Sequence, residues 1–162
     1  MLLLLHRHAS AHSADPARWP DDTERPLDEK GIDVEHRVAR WVRKSDLVPD
    51  AILTSPWRRA AESAAILATE TRAGALPARC EALAAPPDLE ELRHALRRTD
   101  GARSVALVGH EPWLGELASL LLTGDPRRVK VDLPKSGVVG LEVEATLDGR
   151  TSLLFMMRPK QL

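Results

Sequence analysis

A chain of 162 residues, 43% hydrophobic and 29% charged, is long and apolar enough to bury a core, which excludes disorder as its main state. A formal net charge of -1, one Phe and no Tyr exclude a general nucleic-acid binder, which needs basic surplus and stacking rings. The single cysteine, Cys80, excludes an internal disulfide framework and suits a reducing compartment.

In chain order, residues 1–5 are a short apolar run, the pattern of a strand buried on both faces. The run is too short to span a membrane and lacks the basic flank of a signal peptide, so a cytoplasmic protein without a membrane partner is expected. Residues 9–26, which contain ADPARWPDDTERP, are polar and proline-rich and read as an exposed loop. Residues 27–44 carry Ile32, Val34, Val38, Trp41 and Val42 at near-helical spacing, predicting an amphipathic helix. DAILTSP reads as a short strand stopped by Pro56, and WRRAAESAAILATET as an Ala-rich helix. ARCEAL reads as a further short strand, and PPDLEELRHALRR as a helix started by its prolines and Asp88. SVALVG is a strongly apolar strand followed by the helix EPWLGELASLLL. VVGLEVEATL and RTSLLFMMR read as two strands joined at a DG turn.

Strand and helix alternate and close on a hairpin. The expected fold class is therefore α/β: a single domain over residues 1–162, with a mainly parallel, mixed central sheet and helices on both faces. No internal repeat or low-complexity tract divides the chain.

In such sheets ligands bind beyond the carboxyl ends of the strands. Three of these ends carry unusual residues: Arg7-His8 after the first strand, Arg58-Arg59 after the second, and Gly109-His110 after the strand SVALVG. Arginine offers a fixed fork of donors that matches phosphate oxygens, and a helix N-terminus adds N–H groups and positive potential. A neutral histidine nitrogen can accept a phosphoryl group, and a second histidine can stabilise its oxygens.

In order and spacing, LLHRHAS, LTSPWRRA and VALVGHEPWL resemble the histidine phosphatase superfamily, and more narrowly its small SixA-type phosphohistidine phosphatase branch. RPLDEKG, KSGVVGLEV and the terminal MMRP extend the resemblance along nearly the whole chain. The resemblance implies that His8 is the phosphorylated nucleophile, Arg7 its neighbouring clamp, Arg59 the second clamp and His110 the second histidine. Arg58 falls one place early in SPxxRA and reads as exposed. Two positions depart from the pattern. Ala9 stands where the family usually has Gly, so an ordinary φ is expected there. The acid that larger members use to protonate the leaving oxygen has no motif here; Glu81 is the nearest match and Asp88 a distant second.

The weak acid signal bears on substrate. An alkoxide leaving group gains about 10²–10⁴-fold from a general acid. Imidazole, with a pKa of roughly 6.5, leaves readily without one. The expected function is a metal-independent hydrolase acting through a phosphohistidine intermediate, on phosphohistidine in a protein such as a two-component phosphotransfer protein. No cofactor is expected. A small-molecule phosphomonoesterase and a non-catalytic phosphate-binding adaptor are the alternatives; an intact His8 argues against the adaptor.

Other residues have plainer readings. His6 lies inside the strand as a satisfied buried histidine. His6, His8 and His12 lack a ligand-rich partner motif, so no metal site is expected. His12, His36 and His94 read as surface residues, and Ser10 and Ser136 as structural. Trp57 and Trp113 are candidates for the pocket rim. Glu111 reads as a helix starter complementing the dipole.

Overall fold

In a computed structural model, residues 1–74, 76–99, 101–144 and 146–162 are described. Six strands form one sheet: β1 (Leu2–Arg7), β2 (Ala51–Thr54), β3 (Ala78–Arg79), β4 (Ser104–Gly109), β5 (Val138–Glu142) and β6 (Ser152–Met157). Their order is β3-β2-β4-β1-β5-β6. The first four are parallel; β5 runs antiparallel to β1, and β6 to β5. Four helices cover the sheet: α1 (Glu29–Lys44), α2 (Arg58–Thr71), α3 (Leu89–Arg97) and α4 (Trp113–Thr123).

The side-chain period of two explains the leading leucines. Leu3 and Leu5 pack with Leu92 and Leu96 of α3 and Leu114, Leu117 and Leu121 of α4. Leu4 turns the other way, against Val38, Ala39 and Val42 of α1 and Ala60, Ala64 and Leu67 of α2. Each fully buried leucine contributes about 1.5–3 kcal/mol, so β1 is anchored through both faces. His6, two residues beyond Leu4, is carried by the same alternation under α1 and is buried.

Asp28 is the N-cap of α1, its Oδ1 accepting the Gly31 N–H at 2.6 Å. The helix thus begins at Glu29 rather than 27, and Leu27 forms an isolated antiparallel bridge with Ala11. Its buried stripe is Gly31, Glu35, Val38, Ala39 and Val42, while Ile32 is exposed. That stripe is rotated from the predicted one, because a glycine and a glutamate occupy inward positions.

Three other expectations are corrected. ARCEAL is a two-residue strand followed by a 3₁₀ turn at Glu81–Ala84, since Cys80 N–H gives its bond to Thr54 O at the sheet's edge and Leu83 turns into the core. The loop of residues 9–26 is only partly free: it holds a 3₁₀ turn at Asp22–Glu24, and Arg25 Nη1 donates to His12 O at 2.6 Å. The closing strands pair, but the DG sequence is not a two-residue turn. Pairing stops at Glu142 opposite Ser152, and Val143 and Leu147 dip into the core between the strands. Ala145, inside the predicted strand, lies outside the described residues.

Among the described residues no helix is long and apolar enough to cross a membrane.

Candidate active site

The carboxyl ends of β2, β4 and β1 lie side by side. From β1 the chain passes to α1 on one face, and from β4 to α4 on the other, so a crevice opens between the two strand ends. His8 and His110 face each other across it, ring centroids 5.0 Å apart. Both are buried, as is Arg59.

His8 is held through its ring and backbone. Its Nδ1 lies 2.7 Å from Ala9 O. A carbonyl only accepts, so Nδ1 carries the proton and Nε2 keeps a free lone pair. Burial lowers the His8 pKa to about 3; the Ala9 carbonyl bond opposes this, and the charges of Arg59, Arg7 and Lys135 add to it. The ring is therefore neutral at physiological pH, as a nucleophile requires. Ala9 is absent from the residues with positive φ, as expected.

Arg7 points to the opposite face of β1 from His8 by strand alternation. Its Nη1 donates to Leu133 O at 2.7 Å, while its Nε is buried with no partner among the described residues. Arg59 is the second residue of α2. Its Nη1 donates to Asp22 O at 2.8 Å, Nη2 lies 3.2 Å from Asp22 Oδ2, and Nε is buried with no partner among the described residues. The guanidinium stacks over Trp57, 4.5 Å from the ring centre. Burial pulls the Arg59 pKa below its ordinary value; Asp22 opposes this and Arg25 reinforces it. Arg58 is half exposed and pairs with Glu62 at 2.8 Å, as the register of SPxxRA predicts.

His110 Nε2 lies 2.8 Å from Ser55 Oγ, which also accepts the Trp57 N–H at 3.3 Å. Ser55 is fully buried, and the ring nitrogen is the partner within reach of its hydroxyl. With Nε2 accepting from that hydroxyl, Nδ1 is the protonated nitrogen, buried with no partner among the described residues. Burial lowers the His110 pKa to about 3, followed by His8, Arg59 and Arg7. Trp57 lies 4.3 Å from His110 and 5.9 Å from Trp113, centroid to centroid, so the two tryptophans wall the second histidine.

Glu81 is not in this cluster. Its side chain is 69% exposed and pairs with Arg79 at 2.6 Å on the sheet's edge. Asp88 caps α3, its Oδ1 accepting from Glu90 and Glu91 N–H. Sequence reasoning missed Asp22, Arg25 and Ser55, which carry no signal beyond their motifs' flanks. It also underrated Glu111. Burial raises the Glu111 carboxyl to about 7; Arg7 and the Leu133 and Gly115 amides oppose this, and its Oε1 has no partner among the described residues. Asp22 moves the other way, held low by its bond to Arg25. Among the described residues no group of three or more His, Cys, Asp or Glu is placed to hold a metal ion.

The loop that bears the nucleophile is packed on the start of α1. Asp28 Oδ2 accepts from Ser10 Oγ at 2.7 Å, and Asp28 N–H donates to Ser10 O. A Cβ on Gly31 would stand 2.0 Å from Ser10 O, so only glycine admits this close approach. RPLDEKG is thus the docking face for the His8 loop.

Residues 3–84 match the profile of the Histidine phosphatase superfamily (branch 1). An uncharacterized protein of Picosynechococcus sp. is 34% identical over 161 residues, covering 95% of each chain. The fold is shared with the protein histidine phosphatase SixA complexed with tungstate (TM-score 0.84, 20% identity, 99% of each chain). It is also shared with a phosphoserine phosphatase variant from Entamoeba histolytica in complex with phosphoserine (TM-score 0.71, 16% identity, 99% of this chain and 98% of that one). With its two histidines facing each other over the sheet's crevice and its sequence matched over half its length, the chain belongs to the histidine phosphatase superfamily, branch 1.

Proposed function

We propose that this phosphatase hydrolyses phosphohistidine in a protein, without a metal, through a phosphorylated His8. One observation carries the reading. Beside His8, whose ring faces His110 and feels the charges of Arg59 and Arg7, Arg7 Nε, Arg59 Nε and His110 Nδ1 are buried with no partner among the described residues. Buried donors without partners are rare, and a phosphoryl group supplies the acceptors these three lack.

His8 Nε2 bonds to phosphorus as the substrate's phosphorus–nitrogen bond breaks, and the electron pair leaves with the imidazole, which takes a proton from solvent. Arg7, Arg59 and His110 hold the phosphoryl oxygens as charge spreads over them. Water then attacks phosphorus, the bond to His8 breaks, and inorganic phosphate departs. Charge neutralisation comes from the guanidinium groups, so a chelator is expected to leave the rate unchanged.

The choice of an N–P bond rests on the proton inventory. Glu81 is exposed and paired away from the site, and Asp22 is held ionised by Arg25 and Arg59. Glu111, raised to about 7 by burial beside Arg7, is the one of these three that holds a proton near neutral pH. Imidazole needs little help from such a proton, so the N–P reading asks no acid of the site, whereas an ester substrate would call on Glu111. The fold is shared with SixA and with a phosphoserine phosphatase alike, so the substrate rests on the leaving-group argument, with a cytoplasmic phosphotransfer protein as the proposed bearer. The test is a side-by-side rate measurement on a phosphohistidine protein and a panel of sugar, nucleotide and alkyl phosphates. Faster turnover of the phosphoprotein supports the reading, and preference for one ester class replaces it with a small-molecule phosphomonoesterase.

A further inference from the structure

Glu35 is fully buried, forms no salt bridge to a lysine or arginine among the described residues, and plays no part in the reaction above. Its Oε2 accepts from Ser136 Oγ at 2.6 Å, and its Oε1 lies 2.8 Å from His6 Nε2. That second contact is close but off the hydrogen-bond direction. His6 and Ser136 are buried as completely as Glu35. Replacing such a polar cluster by apolar groups is often neutral or stabilising, so its retention calls for a reason other than stability.

The reason lies one bond away. Ser136 N–H is shared between Arg7 O at 3.1 Å and His8 O at 3.2 Å, and Gly137 O accepts the Arg7 N–H at 3.0 Å. Ser136 reaches this position at φ 57°, a left-handed conformation costly for a residue with a Cβ. On the other side of the same peptide, Ala9 N–H donates to Ser63 Oγ at 3.0 Å, and Ser63 Oγ donates to Arg59 O at 2.8 Å. The His8–Ala9 peptide is therefore gripped by its carbonyl from Ser136 and by its N–H from Ser63. Ala9 O, the acceptor that fixes the His8 tautomer, belongs to the next peptide along.

We infer that His6, Glu35 and Ser136 are positioning residues that hold the 133–137 segment against the end of β1 and so aim Nε2 of His8. This rests on the nucleophile reading given above.

The test uses the full chain with Glu35→Gln and Ser136→Ala, each checked for folding by its thermal transition. Three quantities are read: the single-turnover rate of His8 phosphorylation from an aryl phosphate, the affinity for tungstate, and the His8 tautomer by ¹⁵N NMR. Misplacing a reacting group by about 1 Å costs on the order of 10²-fold. The expected result is a roughly 10–100-fold slower phosphorylation and a mixed His8 tautomer, with tungstate affinity within about threefold of wild type. Should Glu35→Gln fail to fold, Ser136→Ala, which keeps the main chain and removes one hydroxyl, decides alone. Wild-type rate and a fixed tautomer in a folded variant overturn the inference, as does tungstate affinity falling in step with rate. Failure of wild-type His8 to take up phosphate would instead overturn the nucleophile reading, while the tautomer comparison still decides whether the network holds the ring.

Discussion

His8 and His110 stand 5.0 Å apart, ring to ring, each buried and each with its pKa lowered to about 3. In the unfolded chain both take up a proton near 6.5, so between about pH 3 and 6.5 the unfolded state binds more protons, and stability falls as pH falls. Glu111 opposes them. Raised from 4.5 to about 7, it binds its proton more tightly in the folded state, which favours folding as pH falls through that window. Two histidines against one carboxyl leave about one proton, so urea unfolding free energy is expected to drop from pH 6.5 to 4.5 by up to about 1.4 kcal/mol per pH unit. Glu111→Gln steepens the drop and His110→Ala flattens it. Stability that rises over this interval in the wild type would contradict the assigned protonation.

Arg59→Ala is expected to reduce kcat/KM by about 10²–10³-fold, the usual loss for one preorganised donor to a transition-state oxygen. Arg58, half exposed and paired with Glu62 one helical turn on, contributes a surface ion pair worth well under about 1 kcal/mol. Arg58→Ala therefore leaves kcat/KM within about threefold. Steady-state kinetics on the two variants settle the register, and equal losses would put the clamp on the wrong residue.

Gly31→Ala brings a Cβ to 2.0 Å from Ser10 O, backbone against backbone, so the His8 loop or the first turn of α1 must shift. The expected outcome is a lower melting temperature together with loss of activity, where an alanine elsewhere on a helix surface would stabilise. Wild-type activity and stability would mean that the loop's docking on α1 is unimportant.

Glu81→Gln is expected to change the rate on neither phosphohistidine nor alkyl phosphate. The carboxyl is exposed and already engaged with Arg79 on the edge strand. A collapse of ester hydrolysis by about 10²–10⁴-fold, with phosphohistidine spared, would make Glu81 the general acid after all.

The sequence made the sheet and the strand-end chemistry legible for a common physical reason. A double-faced strand such as β1 must be apolar throughout, so Arg7 and His8 stand out at its end, and Gly109-His110 likewise after β4. The proline that stops β2 marks where Arg59 starts its helix. What escaped were partners set by tertiary packing. Glu35 is a charged residue in an apolar stripe, legible only once His6 and Ser136 are known to face it. Asp22 reaches Arg59 from a loop whose composition reads as solvent-exposed, and no local pattern tells a two-residue edge strand from the longer one expected at ARCEAL.

The most direct test of the account is to quench turnover of a ³²P-labelled substrate and map the label. Phosphate on a histidine nitrogen is acid-labile and base-stable, and the account predicts such label on His8, turning over at a rate compatible with kcat and absent in a folded His8→Ala variant. Label on any other residue, or turnover above about a thousandth of wild type in His8→Ala, would contradict it.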